Sequence, residues 1–202
     1  MLRTMTESKA LTIPGVVIDR LVRGRAAVDM LLVIGASALI AIAAQVAIPL
    51  PFTPVPLTLQ PLAVIFIGVA LGSTRGAAAA ALYLLEGFAG LPVFSQGHGG
   101  AMWLLGATAG YLYSYPFAAW LAGFVSERGW GSNVVRSLSG MLAALAVIYA
   151  GGFAWLALLT DARTAFAGGV APFVLADVVK VAIGAALLPY AQKIIAKTTV
   201  TE

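Results

Sequence analysis

Uncharged apolar runs long enough to cross a bilayer constrain this chain more than any other feature. Met30–Leu50, Met102–Val125 and Ser137–Thr160 contain no charged residue, and Pro172–Ala191 contains only Asp177 and Lys180. A helix rises about 1.5 Å per residue, so spanning a hydrocarbon core takes roughly 20 residues, and all four runs meet that length. Pro61–Gly72 and Gly76–Leu85 fall short, unless the latter continues past Glu86 toward Leu91. Six such runs predict an all-α integral membrane fold, a six-transmembrane-helix bundle.

Composition agrees. Apolar residues make up 61% of the 202 positions and charged ones 10%, whereas soluble domains run near one-quarter charged. The length suits one compact unit, read as a basic N-terminal segment at 1–25, a six-helix transmembrane domain at 26–195 and a tail at 196–202. The run Met30–Leu50 follows Arg20, Arg23 and Arg25 as a signal peptide's apolar region would. Its 21 residues exceed the usual cleavable length of about 7–15, which favours a retained first span. The net charge of +4 does not point to nucleic acid, because the basic residues sit at the ends of apolar runs, where anionic headgroups lie.

With both termini on one side, that side also receives the loops at Ser73–Arg75 and Ser126–Arg136. Ten of the 12 Lys and Arg residues then fall on it, Arg163 alone lies opposite, and Lys180 is within a span. The positive-inside rule makes both termini cytoplasmic. The two short segments are either shielded from lipid around a cavity or an ordinary helical hairpin turning at Ser73–Arg75. Gly68, Gly72 and Gly76, four apart, would let another backbone approach. The external connections, 49–60 and 90–100, mix apolar side chains with Pro and Gly. Such backbone resists both helix formation and solvation, so these loops either fold over the bundle as a lid or lie on the headgroups.

Few residues can carry chemistry. Asp177 and Lys180, three apart, share one helix face. Each charge near mid-span costs roughly 2.5–3.5 kcal/mol on insertion scales, so the pair calls for a reason. Counted from Pro172, Asp177 lies about 7–8 Å deep and Lys180 about 12 Å, the depth of an externally open pocket. Either they read a small ligand bearing both N–H and C=O groups, or they neutralise each other structurally. His98, the single histidine, is either solvated or set against a ligand by flanking glycines that let backbone amides approach. Glu86 reads best as the interfacial end of its helix. Trp103, Tyr111, Tyr113, Tyr115 and Tyr149 are pocket walls or, more commonly, interfacial belt residues. No P-loop is present, one histidine without cysteine makes a metal site improbable, and no nucleophile is paired with a base. Neither a cofactor nor enzymatic activity is expected.

Ile48-Pro-Leu-Pro-Phe-Thr-Pro-Val-Pro-Leu-Thr-Leu-Gln60, Tyr83-Leu-Leu-Glu-Gly87 with Gly90-Leu-Pro-Val-Phe94, and Pro172-Phe-x-x-x-Asp177-x-x-Lys180 closely resemble the BioY family, the biotin-binding S components of energy-coupling-factor (ECF) transporters. The resemblance runs from about Met30 to Tyr190. It departs at Gly106-Ala-Thr-Ala-Gly-Tyr111, where the family commonly has Gly-Pro-Thr-Gly-Gly-Tyr, which puts the start of that helix in doubt. The resemblance implies six helices, a vitamin pocket roofed by external loops, and contacts from Asp177 and Lys180. It also implies partnership with a transmembrane scaffold subunit and two ATPase subunits in the cell's plasma membrane. Candidate biotin contacts are Asp177, Lys180, His98, Gly99, Gly100, Tyr111 and Gln60. The same fold specific for thiamine or riboflavin is the alternative, and a membrane enzyme acting on a lipid-like substrate is the alternative of another class. Small residues on the first helix (Gly35, Ala36, Ala43 and Ala47) are where the scaffold would dock.

Overall fold

The computed structural model describes residues 26–130 and 133–198; the basic segment at 1–25 lies outside the described residues. Among the described residues there are seven α-helices: α1 Ala26–Gln45, α2 Gln60–Leu71, α3 Ser73–Phe88, α4 Ala109–Glu127, α5 Val134–Leu159, α6 Ala162–Gly169 and α7 Ala171–Thr198. Short 3-10 turns at Ser95–Gly97 and Ala101–Leu105 lie between α3 and α4. Two short strands, β1 Ala47–Ile48 and β2 Leu57–Thr58, pair antiparallel with Ala47 opposite Thr58.

Several expected boundaries move, each for a local reason. α1 ends at Gln45 rather than Leu50, because the backbone ahead of Pro49 and Pro51 is extended. Ser73–Arg75 is not the turn between α2 and α3 but the first turn of α3. The reversal is made by Gly72 alone at φ +85, a left-handed conformation that glycine adopts without steric cost. α3 runs to Phe88, so Glu86 sits inside the helix, where its carboxylate accepts the Ser37 hydroxyl of α1 at 2.5 Å. The fourth run splits: Met102 and its neighbours form a 3-10 turn, and the helix starts at Ala109. The short α6 was not expected; Asp161 begins it by accepting the backbone N–H groups of Arg163 and Thr164, a side-chain N-cap. α7 continues through Thr198, so the boundary drawn at 195/196 does not coincide with a helix end.

α4 is the central helix, packed against α2, α3 and α5. Small residues let it come close. A Cβ on Gly68 of α2 would lie 2.2 Å from the Ala119 carbonyl oxygen, and one on Gly123 of α4 would lie 2.3 Å from the Ser73 nitrogen. α2 has only 12 residues, about 18 Å, with Val64, Ile65, Ile67 and Val69 buried. It is a short, protein-enclosed helix rather than a long one whose ends were trimmed.

Large apolar side chains stand on the outer surface, among them Leu31 and Ile42 of α1, Phe117 of α4, Leu158 of α5 and Leu175 of α7. Among the described residues two helices, α1 and α5, are each long and apolar enough to cross a membrane, and the bent pair α6 and α7 makes a third span if counted as one. Of the small residues expected to form a docking row on α1, Gly35 is exposed with open space where a Cβ would be. Ala36 is buried within the bundle and is not available to a partner. Ala43 and Ala47 are half-buried. One end of the bundle collects charge: Glu127 accepts the Ser73 N–H and hydroxyl at 2.6 and 3.0 Å, and Arg75 pairs with Asp29 at 2.8 Å.

Candidate functional site

At the opposite end, connecting segments too rich in proline and glycine for helix fold back onto the helices and enclose a cleft. Its walls are Val55 to Thr58 of the first connection, Gln60 and Pro61 opening α2, Ser95 and Trp103 between α3 and α4, Thr108 just ahead of α4, Tyr111, Leu112 and Tyr115 on α4, Ile148 and Tyr149 on α5, and Phe173 and Asp177 on α7. The cleft is a narrow slot, a cavity of about 50 Å³. Much apolar wall with few polar groups suits a small, largely apolar ligand held by a few hydrogen bonds.

The first connection is pinned on both sides. The β1–β2 pairing fixes its stem, and Thr53 donates to the Gly168 carbonyl of α6 at 2.6 Å. The second is pinned by Gln45 at the end of α1. Its amide nitrogen donates to the carbonyl of Phe94 at 3.1 Å, and its amide oxygen accepts the Gly97 N–H at 2.9 Å.

Asp177 and Lys180 lie together at 2.8 Å. The Asp177 carboxylate is buried in the cleft wall and also accepts the Tyr149 hydroxyl at 2.7 Å, while the Lys180 ammonium, partly exposed, donates to the Thr58 carbonyl at 3.1 Å. The acceptor of the pair thus faces the cleft, and the donor braces it from behind against β2. Gln60 is buried in the wall, donating to the Tyr83 hydroxyl at 2.7 Å. Tyr111 is also in the wall, and its hydroxyl donates to Gly169 at 2.6 Å.

His98, Gly99 and Gly100 are not among the lining residues. The exposed His98 ring stacks on Trp103, centroids 4.0 Å apart, and its Nδ1 lies 2.8 Å from the Ser95 carbonyl oxygen. It backs a wall residue instead of facing the cleft. The glycines answer to the loop itself. A Cβ on Gly99 would sit 2.2 Å from the Leu91 oxygen, and Gly100 has φ +93 while donating to the Gly87 carbonyl at 2.6 Å. Conversely, Trp103, Tyr115 and Tyr149, assigned more readily to an interfacial belt, line the cleft; Tyr113 does not. Its hydroxyl donates to the Leu104 carbonyl at 2.5 Å. Ser95, Thr108 and Phe173 were not singled out by sequence. Among the described residues lining the cleft, Ser95 Oγ is the one buried side-chain polar atom without a hydrogen-bond partner.

Comparison with known proteins gives a consistent result. A family model described as the BioY family matches residues 12–197. The biotin transporter BioY of Rhizobium etli is 39% identical over 149 residues, covering 69% of this chain and 79% of the relative. The biotin transporter BioY of Thermotoga maritima is 38% identical over 150 residues, covering 74% and 86%. A crystal structure described as the S-component for biotin from an ECF-type ABC transporter superposes with a TM-score of 0.69 at 24% identity, over 82% of this chain and 90% of that one.

Proposed function

The chain belongs to the BioY family, and from that premise we propose that it is the biotin-binding membrane subunit of an ECF-type vitamin uptake transporter, capturing biotin in the loop-roofed cleft. The observation that carries this reading is the cleft itself. It has apolar and aromatic walls for a bicyclic ring and an aliphatic tail, and a buried carboxylate, Asp177, held in place by Lys180 and Tyr149. A carboxylate accepts hydrogen bonds only, so it suits the ureido N–H groups of biotin. The nearby ammonium of Lys180 suits the ureido carbonyl once the ring enters.

The subunit has six membrane-crossing segments, with α6 and α7 together forming the last, and both termini are cytoplasmic. Charge placement supports this orientation: Arg75, Arg128 and Arg136 fall at the end away from the cleft, and Arg163 beside it, so the cleft opens outward under the positive-inside rule. The bundle carries no nucleotide motif, so uptake draws on a transmembrane scaffold subunit and two ATPase subunits, with the exposed face of α1 around Gly35 as the docking surface in the plasma membrane. Biotin, rather than thiamine or riboflavin, is favoured by the names of the relatives, and those names denote transporters, not enzymes.

Equilibrium binding of the three vitamins to the purified protein in detergent tests the reading. Saturable binding of biotin alone, with biotin recovered unchanged by mass spectrometry, is expected; binding of thiamine or riboflavin in its place would refute it.

A further inference from the structure

On the outer face of the bundle, away from the cleft, α4 and α5 leave between them an open groove of about 410 Å³. Small residues, Gly110, Ser114, Gly151 and Ala154, line it beside Phe117 and Leu158. The two glycines answer to the crossing of α4 and α5 rather than to a third helix. A Cβ on Gly110 would lie 2.2 Å from the Trp155 Cβ, and one on Gly151 would lie 2.8 Å from the Gly110 carbonyl oxygen. Nothing polar is left for an occupant. Ser114 Oγ donates to the Tyr111 carbonyl at 2.7 Å, the Tyr113 hydroxyl to that of Leu104 at 2.5 Å and the Trp155 indole N–H to that of Gly106 at 2.9 Å. Every side-chain polar atom among the described lining residues is therefore already bonded. Through the exposed Phe117 and Leu158 the groove is continuous with the apolar outer surface. Its shape decides what fills it. Between Val147 and Leu158, which bound it on α5, the helix rises about 16 Å. The volume spread over that length leaves a section of about 25 Å², whereas a helix 10–12 Å wide with its side chains fills roughly 80 Å² or more. A second helix does not seat in such a space, but a single hydrocarbon chain does. Among lipid tails association is driven by packing, and an unfilled void forfeits the dispersion contacts of its lining.

We propose that this groove is a lipid site that seats one acyl chain from the half of the bilayer nearest the cleft and selects it by chain length, not by headgroup. The leaflet follows from the fold: the groove takes its residues from the first half of α4 and the last half of α5, the ends that lie toward the cleft. No residue of α1 lines it, so it is separate from the face proposed for the scaffold subunit. The inference goes beyond the vitamin reading and rests only on the chain's place in a membrane.

The test is native mass spectrometry of the full chain released from detergent micelles that carry dioleoyl phosphatidylcholine, dioleoyl phosphatidylglycerol or dihexanoyl phosphatidylcholine. One retained lipid is expected with either dioleoyl species and none with the dihexanoyl one. Ala154→Phe puts a ring into the groove from an exposed position and should lose the retained lipid. Leu175→Phe, on exposed surface of α7, should keep it. Equal retention by the wild type and Ala154→Phe would reduce the bound molecule to ordinary surface lipid and overturn the site, as would a wild type that retains none. Retention of phosphatidylglycerol alone would place recognition in a headgroup, and a dimer that Ala154→Phe dissociates would give the groove to a second copy of the chain; either result overturns the proposal. If Ala154→Phe does not fold, the chain-length comparison on the wild type decides, because a dihexanoyl lipid held as firmly as a dioleoyl one refutes it. A wild type that keeps its lipid but binds no biotin would remove the vitamin reading and leave this one standing.

Discussion

Asp177 and Lys180 give the sharpest perturbation, because the two roles open to them predict opposite results in one double variant. The carboxylate side chain is 7% exposed and the ammonium side chain 22%, so the acid bears the greater burden if left alone. Lys180→Met strands a buried carboxylate whose remaining partner is the Tyr149 hydroxyl. Asp177→Asn leaves an ammonium with the Thr58 carbonyl and some access to water. Breaking a buried pair by removing one member costs about 3–5 kcal/mol, and the exposure difference puts Lys180→Met at the upper end and Asp177→Asn below it. Ligand reading adds a separate loss. At about 1.5–3 kcal/mol for a hydrogen bond to a charged group, each single variant should bind biotin about ten- to 150-fold more weakly. In Asp177→Asn with Lys180→Met no charge is stranded, so stability should return toward that of the wild type. Thermal unfolding in detergent and titration calorimetry with biotin on the four proteins separate the terms. A ligand site gives a double variant that is well folded and defective in binding. A double variant with native biotin affinity would remove both residues from the site.

Four further outcomes are expected. Gly68→Ala should lower stability by about 1–3 kcal/mol, the usual range for overpacking, since its Cβ would collide with the Ala119 carbonyl; Gly35→Leu, on open surface, should leave stability and biotin binding intact while reducing uptake by the assembled transporter, and an uptake rate equal to the wild type would dismiss that face as the docking surface. Single cysteines replacing Ser8 and Thr199 should react only with reagent on the cytoplasmic side and one replacing Arg163 only from outside; opposite labelling of the two termini would contradict an even number of spans. Hydrogen bonds from the Thr164 hydroxyl and N–H hold the exposed Asp161 carboxyl below its ordinary value of 3.8, so its stabilisation of α6 is fully present above that value and lost as pH falls through the lower folded one. A melting curve of Asp161→Ala should therefore lie below the wild type at pH 7 and converge with it in strong acid; persistence of the gap there would show that the cap does not act through its charge.

Much of this arrangement is legible in the residues because a membrane leaves so little choice. The Asp177–Lys180 pair stood out since charge at that depth is expensive, and both segments expected to fold over the bundle do line the cleft. What escaped has equally physical reasons. Hydropathy does not tell an inward aromatic from an interfacial one, so the choice between wall and belt stayed open for Tyr149; its place well inside the 26-residue α5, too deep for a headgroup belt, was the usable clue. The glycines around His98 suggested ligand approach but serve a tight loop closed on Leu91 and Gly87, and composition is the same in both cases. Ser95 could not be seen, because an unpartnered hydroxyl is a property of three-dimensional enclosure. α6 could have been found from Asp161, a preferred N-cap residue type, ahead of Ala162.

The cleft and the hydrophobic core are not separate places. Tyr111, Leu112, Tyr115, Ile148 and Phe173 belong to both, so the proposed vitamin would lie where a soluble protein keeps its last few core side chains. An empty subunit is then a protein whose interior is incompletely filled, and the nutrient supplies the missing packing from five separate stretches of chain at once. By linkage, ligand at a thousandfold its dissociation constant would add about 4.1 kcal/mol, a large fraction of what holds a domain of this size together. Scarcity of the vitamin would reach the cell twice over: as lost cargo, and as a population of subunits that open more often to proteases and are replaced sooner.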